Sequence, residues 1–149
     1  MEIKNNVISS KKYEILSDDT RNFIGCTLYR IRALRDIPNI GVKKGDLGGY
    51  IMDENNLSHD GDCWVFDRSI VCDRARVYEN GVVYDNSTIA CRAQVYGNAK
   101  VYDDTWVYDD AKVYCNARVC EHSQLYGNKS VSGDMEVRNE VIGDGEPIY

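Results

Sequence analysis

Two histidines, His59 and His122, are the side chains of this 149-residue chain best suited to take up a proton near neutral pH. As a general base, either could serve the transfer of an acyl group to a hydroxyl or amine, which must lose a proton as it attacks. Six cysteines (Cys26, Cys63, Cys72, Cys91, Cys115, Cys120) show no CxxC pair and no zinc-type grouping. They read as free thiols of a reducing compartment, and no metal site is expected. Carboxylates recur at or beside an eighteen-residue interval: Asp67, Asp85, Asp103, Asp104, Glu121 and Glu140. Seven of the eleven tyrosines (Tyr78, Tyr84, Tyr96, Tyr102, Tyr108, Tyr114, Tyr126) fall into the same rhythm. No GxxxxGK[ST] phosphate cradle and no nucleophile elbow accompanies them, so nucleotide hydrolysis and serine-based hydrolysis have no support.

The elements that must position these residues follow from one repeat. From Cys63 the chain divides into hexads, CWVFDR, SIVCDR, ARVYEN and so on to VIGDGE, fourteen over residues 63–146. The third place is aliphatic in thirteen consecutive hexads, from Val65 and Val71 to Val137, and a small residue such as Ser69, Ala75, Ala93 or Ala111 starts most of them. A period of six with two inward places fits neither a helix nor a hairpin. It fits a short strand followed by a corner, the aliphatic side chain pointing inward and the small one filling the bend. Asn or Asp in the last place (Asn80, Asn86, Asn98, Asp104, Asp110, Asn116, Asn128, Asp134) is expected to supply the positive φ of the corners.

The repeat resembles that of the hexapeptide-repeat family, which implies three hexads to a coil, so that each outward side chain lies above the one eighteen residues later. The first face then stacks Phe66, Tyr84, Tyr102 and Cys120 beside Trp64, Val82, Lys100 and Arg118. The second stacks Cys72, Ala90, Tyr108 and Tyr126 beside Ile70, Thr88, Trp106 and Gln124; the third stacks Tyr78, Tyr96 and Tyr114 beside Arg76, Gln94 and Lys112. The first corner collects Asp67, Asp85, Asp103, Asp104, Glu121 and Glu140, while Asn80, Asn98 and Asn116 form an amide ladder at the third. Tyr, Trp and Arg dominate binding hot spots. Trp64, Arg76, Tyr78, Tyr84, Tyr96, Tyr102, Trp106, Tyr108, Lys112 and Tyr114, with Asp67, Asp85, Asp103 and Asp104, are therefore the candidate binding residues. His122 stands at a corner and is expected to turn the chain. His59 stands at an aliphatic place ahead of Cys63 and is expected to be buried structure. Both are weak catalytic candidates.

Residues 1–60 lack the repeat and read as an N-terminal cap. Two or three antiparallel strands within residues 12–52, including CTLYRIRALRD and a Gly-rich turn, would cover the first coil's open edges. Residues 61–149 form the second unit, closed by GEPIY. The net charge is −6, all of the excess acid lying beyond residue 60. Such a surface disfavours nucleic acid and membrane headgroups as partners. No apolar run reaches the roughly 18 residues of a membrane helix. Nor does a signal peptide open the sequence, so a cytoplasmic location is expected.

The aliphatic residue followed four places later by a small one, as in VYGNAK and VYCNAR, resembles the hexapeptide-repeat family. That resemblance implies an all-β fold: a left-handed parallel β-helix, here of about 4.7 coils of three hexads, with a small antiparallel cap. It also implies a homotrimer with parallel axes using two of the faces. The run LYRIRALRD, VKKGDLGGYI, NLSHDGDCWVF is similar to phage and prophage β-helix proteins, which implies a protein acting in the bacterial cytoplasm. The reading that follows is a non-enzymatic binding protein, an anti-defence inhibitor that engages a bacterial host protein or a small signal molecule. No cofactor is expected. The alternatives are a purely structural assembly module, or an acyltransferase with coenzyme A as its cofactor. The hexads carry no inserted loop to cover a substrate, and their few coils leave little groove for a pantetheine arm.

Overall fold

An aliphatic residue every sixth place can be kept dry only if the chain turns after each one, and every turn brings the next such residue to a new side of a shared interior. A computed structural model describes residues 11–144. Fourteen strands of two or three residues, from Trp64–Val65 to Val141–Ile142, form three parallel sheets around that interior, a β-solenoid of nearly five coils. The eighteen-residue register holds from coil to coil along the first face: Trp64 pairs with Val82, Val82 with Lys100 and Lys100 with Arg118. All thirteen aliphatic third-place residues are buried, as are Ala75, Ala93, Ala99, Ala111 and Ala117.

The corners depart from the expected pattern. Positive φ falls on the fifth place of the hexad, at Asp67, Asp73, Glu79, Asp85, Cys91, Gly97, Asp103, Asp109, Cys115, Glu121, Gly127, Gly133 and Asn139. Among the described residues the sixth place joins it at Asn86, Asp104 and His122 alone, all on the first corner. Elsewhere the sixth-place amides serve as rungs: Asn80 donates to Asn98 at 3.2 Å, Asn98 to Asn116 at 3.3 Å and Asn116 to Asp134 at 3.2 Å.

At the second and third corners the small residue's N–H closes the turn locally, as Ala93 does onto Ala90 and Ala99 onto Tyr96. The doubly left-handed first corner instead presents the N–H of Ser87 and Thr105 to the coil before, where the hydroxyls of Ser69 and Ser87 accept at 3.1 Å. A buried N–H must find a partner, so this corner starts its hexads with Ser or Thr where the others use Ala at five places and Gly81, Lys129 and Met135 at the rest. The last hexad also slips: Gln124 pairs with Val141 and Leu125 with Ile142, one residue earlier than an eighteen-residue step. The closing segment GEPIY lies outside the described residues.

The antiparallel cap is as expected in kind and larger in reach. Strands β1 (Tyr13–Phe23) and β2 (Cys26–Ala33) form a hairpin turning at Ile24 and Gly25, both at positive φ. Strand β2 pairs antiparallel with β3 (Leu47–Ile51), and β3 runs parallel to Ile70–Val71, so the cap continues the second sheet. Gly49 allows this docking, since a Cβ there would lie 2.6 Å from the Ser69 carbonyl oxygen and from Val65 Cγ1. Leu28 and Tyr50 then bury with Ile70, Cys72, Ala90, Tyr108 and Tyr126 as a second apolar cluster outside the coil, and Phe23 and Trp106 pack at its edge. The hairpin covers the second face.

Candidate functional site

Parallel strands held in register at 4.7–4.9 Å force identical rings into register as well. On the first face Tyr84 and Tyr102 stack at 4.8 Å with 4° between their planes, and Phe66 meets Tyr84 edge-on at 6.2 Å. On the third face Tyr78, Tyr96 and Tyr114 stack at 4.8 and 5.1 Å, with the Arg76 guanidinium 4.9 Å from the centre of the Tyr78 ring. All five tyrosines are half-buried, open along one side. Burial, and then Cys120 beneath it, pushes the Tyr102 hydroxyl up to about 12.

Between these faces lies the asparagine corner. Asn80, Asn98 and Asn116 edge a groove of about 440 Å³ whose other side carries Val82, Lys100 and Arg118, closed at the cap end by Asn39, Ile40 and Asp62. Lys112 and Lys100 are exposed on its two flanks. Arg118 sits 3.6 Å from Glu136, an exposed pair of small energetic weight.

The first corner gathers Asp85, Asp103, Asp104, Glu121 and His122 around a shallow opening of about 490 Å³. Partial burial, a hydrogen bond with Asp103 and the charges of Asp103, Asp67 and Asp104 all hold the Asp85 carboxyl above its ordinary range. This is the cost of stacking like charges one strand apart. Arg138 pairs with Glu121 at its lower end. His122 is exposed with Nδ1 3.9 Å from Asp104, so it does turn the chain, through its own φ of 62°.

Two binding candidates are misplaced by the sequence reading. Trp64 is wholly buried, edge-on to Tyr13 at 6.3 Å, because the cap closes over the top of the first face. Tyr108 is wholly buried because the hairpin lies over the second face. Trp106 is half-buried, its ring 5.7 Å from Phe23. His59 is half-buried with both nitrogens engaged: Nδ1 accepts the Lys12 backbone N–H at 3.1 Å and Nε2 lies 2.6 Å from Glu54 Oε1. Its ring stacks on Tyr13 at 4.1 Å, and the bond to His59 draws the Glu54 carboxyl below its ordinary range. The ring pins the cap to the coil.

The covering residues Phe23, Leu28 and Tyr50 were not marked by the hexads. One faint signal existed, in the small outward residues Cys72 and Ala90 at places where other faces hold tyrosine.

The model of one family, described as the YdcK beta solenoid repeat, matches residues 93–109, about one coil. The chain is thus similar to that repeat in its central coil, in agreement with the fold. No curated protein matches the chain. Among the described residues, no helix is long and apolar enough to cross a membrane.

Proposed function

We propose that this chain is a non-enzymatic binding protein of the hexapeptide-repeat β-helix class, wound left-handed and assembled as a parallel homotrimer about its asparagine corner. The observation that carries this reading is the unequal cover of the three faces. The second face lies under the hairpin, and the corner opposite to it is flanked by the two faces that still offer ordered tyrosines. In a parallel trimer about that corner, the Tyr78, Tyr96, Tyr114 column of one chain faces the Val82, Lys100, Arg118 column of the next. Cations over aromatic rings, with lysine and arginine stems against ring faces, make such a contact favourable.

The Tyr84–Tyr102 stack and the acidic corner then remain turned outward. Their chemistry suits a partner that is basic and presents an apolar or planar group. A bacterial host protein fits this best, and a small signal molecule held on the tyrosine stack is the lesser alternative. With the resemblance to phage and prophage β-helix proteins, this supports an anti-defence inhibitor acting in the host cytoplasm. An acyltransferase using coenzyme A would need a histidine with a free nitrogen facing a cleft, and the engagement of both His59 nitrogens speaks against that residue.

Light scattering tests the assembly. Wild type is expected at three times the chain mass of 16.9 kDa. Tyr96→Glu with Tyr114→Glu is expected to give a folded single chain. Reversal of Asp67, Asp85 and Asp103 to lysine is expected to keep the trimer and abolish inhibition of the partner. A wild-type protein that stays a single chain at tens of micromolar would overturn the reading.

A further inference from the structure

Lys12 lies ahead of the first strand and is wholly buried, a rare state for lysine. Among the described residues its Nζ has three partners: the carbonyl oxygens of Cys63 at 2.6 Å and Gly61 at 3.2 Å, and Cys63 Sγ at 3.2 Å. None is a carboxylate. Burial lowers the affinity of this amine for its proton, with Cys63 pulling the other way, and burial raises the Cys63 thiol. A neutral amine has two N–H groups and one lone pair. Nζ donates toward all three partners; once it gives up one proton, its two remaining N–H groups can stay on the two carbonyls and its lone pair faces sulfur.

Cys63 is itself buried, its Sγ also lying 3.4 Å from the Ser58 carbonyl oxygen and 3.6 Å from that of Asp60. Asp60, whose carbonyl it meets, and Gly61 are exposed, so a small oxidant needs only local opening of that loop to reach it. A buried thiol with apolar neighbours is inert. This one has an amine nitrogen in contact, 3.2 Å away.

We propose that Lys12 and Cys63 form a peroxide-driven covalent cross-link, a sulfenamide between Nζ and Sγ, that fastens the start of the cap to the first coil. In the first step the unprotonated Lys12 amine takes the thiol proton and the thiolate attacks hydrogen peroxide: the S–O bond forms, the O–O bond breaks, and the departing hydroxide leaves as water with that proton, which frees the amine again. In the second, the Nζ lone pair attacks the sulfenic sulfur. The N–S bond forms, the S–O bond breaks, and the hydroxide leaves as a second water with a proton from nitrogen. One peroxide is consumed, sulfur is oxidised by two electrons, and a thiol reductant reverses the bond. The inference is independent of the trimer and of any partner.

The test treats the full chain with hydrogen peroxide and maps peptides without reduction. The expected product joins the Lys12 and Cys63 peptides with a loss of about 2 Da, blocks tryptic cleavage after Lys12, and disappears on adding dithiothreitol. Cys63→Ala and Lys12→Arg should each abolish it, and the wild-type map stands on its own if either variant folds poorly. The exposed Cys115 reports that oxidant was delivered. If Cys115 is oxidised while Lys12 stays cleavable, or Cys63 is recovered as a sulfinic acid or a disulfide, the proposal is wrong.

Discussion

Tyr96 and Tyr108 hold the same place in their hexads, on different faces of the coil, yet Tyr108 is wholly buried and Tyr96 stands half-open to solvent. Both stack on a tyrosine eighteen residues further on, Tyr96 on Tyr114 at 5.1 Å and Tyr108 on Tyr126 at 5.2 Å. The repeat therefore dictates the ladder on each face. What it leaves open is whether a ladder becomes core or surface, and that is decided by a hairpin with no hexads in it.

The contrast can be broken most sharply by truncating the two rings. Tyr108→Ala empties a filled site beneath the hairpin and should cost about 3–5 kcal/mol in urea unfolding, whereas Tyr96→Ala should cost about 1 kcal/mol or less. Equal costs would mean that the two faces are not differently covered. A methyl group at Gly49 pushes the cap off the first coil, and Gly49→Ala should lose about 1–3 kcal/mol, since the atoms it meets include a backbone carbonyl. Phe23→Ala should cost less in stability, because the ring is only half-buried, but it uncovers Trp106 and should shift the emission of that indole to longer wavelength.

The smallest effect belongs to the acidic corner. Asp85 keeps its proton more tightly in the folded chain than in the unfolded one, so its ionisation weakens the fold as pH rises through the raised value. Asp85→Asn retains a side chain that tolerates the left-handed φ of 56° and removes the charge. It should stabilise by no more than about 0.5 kcal/mol at neutral pH, because the corner is solvated. The gain should shrink at high salt and vanish below the carboxyl's titration.

How far the sequence reaches follows from what each residue answers to. Val65 to Val137 answer to the chain's own period, so the solenoid, its eighteen-residue register and the Asn80, Asn98, Asn116 ladder were legible. Trp64 and Tyr108 answer to residues far away in sequence, and their alternating neighbours in TLYRIRA present two sides without saying which one meets the coil. The corner angles were displaced by one place because Asn and Asp in the sixth place suggested a turn, while Glu79, Cys91 and Cys115 accept positive φ in the fifth. Tertiary pairing holds them there against their own preference. Lys12 left no trace, since two of its three partners are backbone carbonyls that no side-chain pattern records.

The central claim, one covered face and two open ones, is met most directly by hydroxyl-radical labelling of the native protein, read at each tyrosine by mass spectrometry. Tyr84 and Tyr102 should label several-fold faster than Tyr108 and Tyr126, with Tyr78, Tyr96 and Tyr114 slowed only where chains associate. Labelling of Tyr108 as fast as Tyr84 in the folded protein would contradict the account.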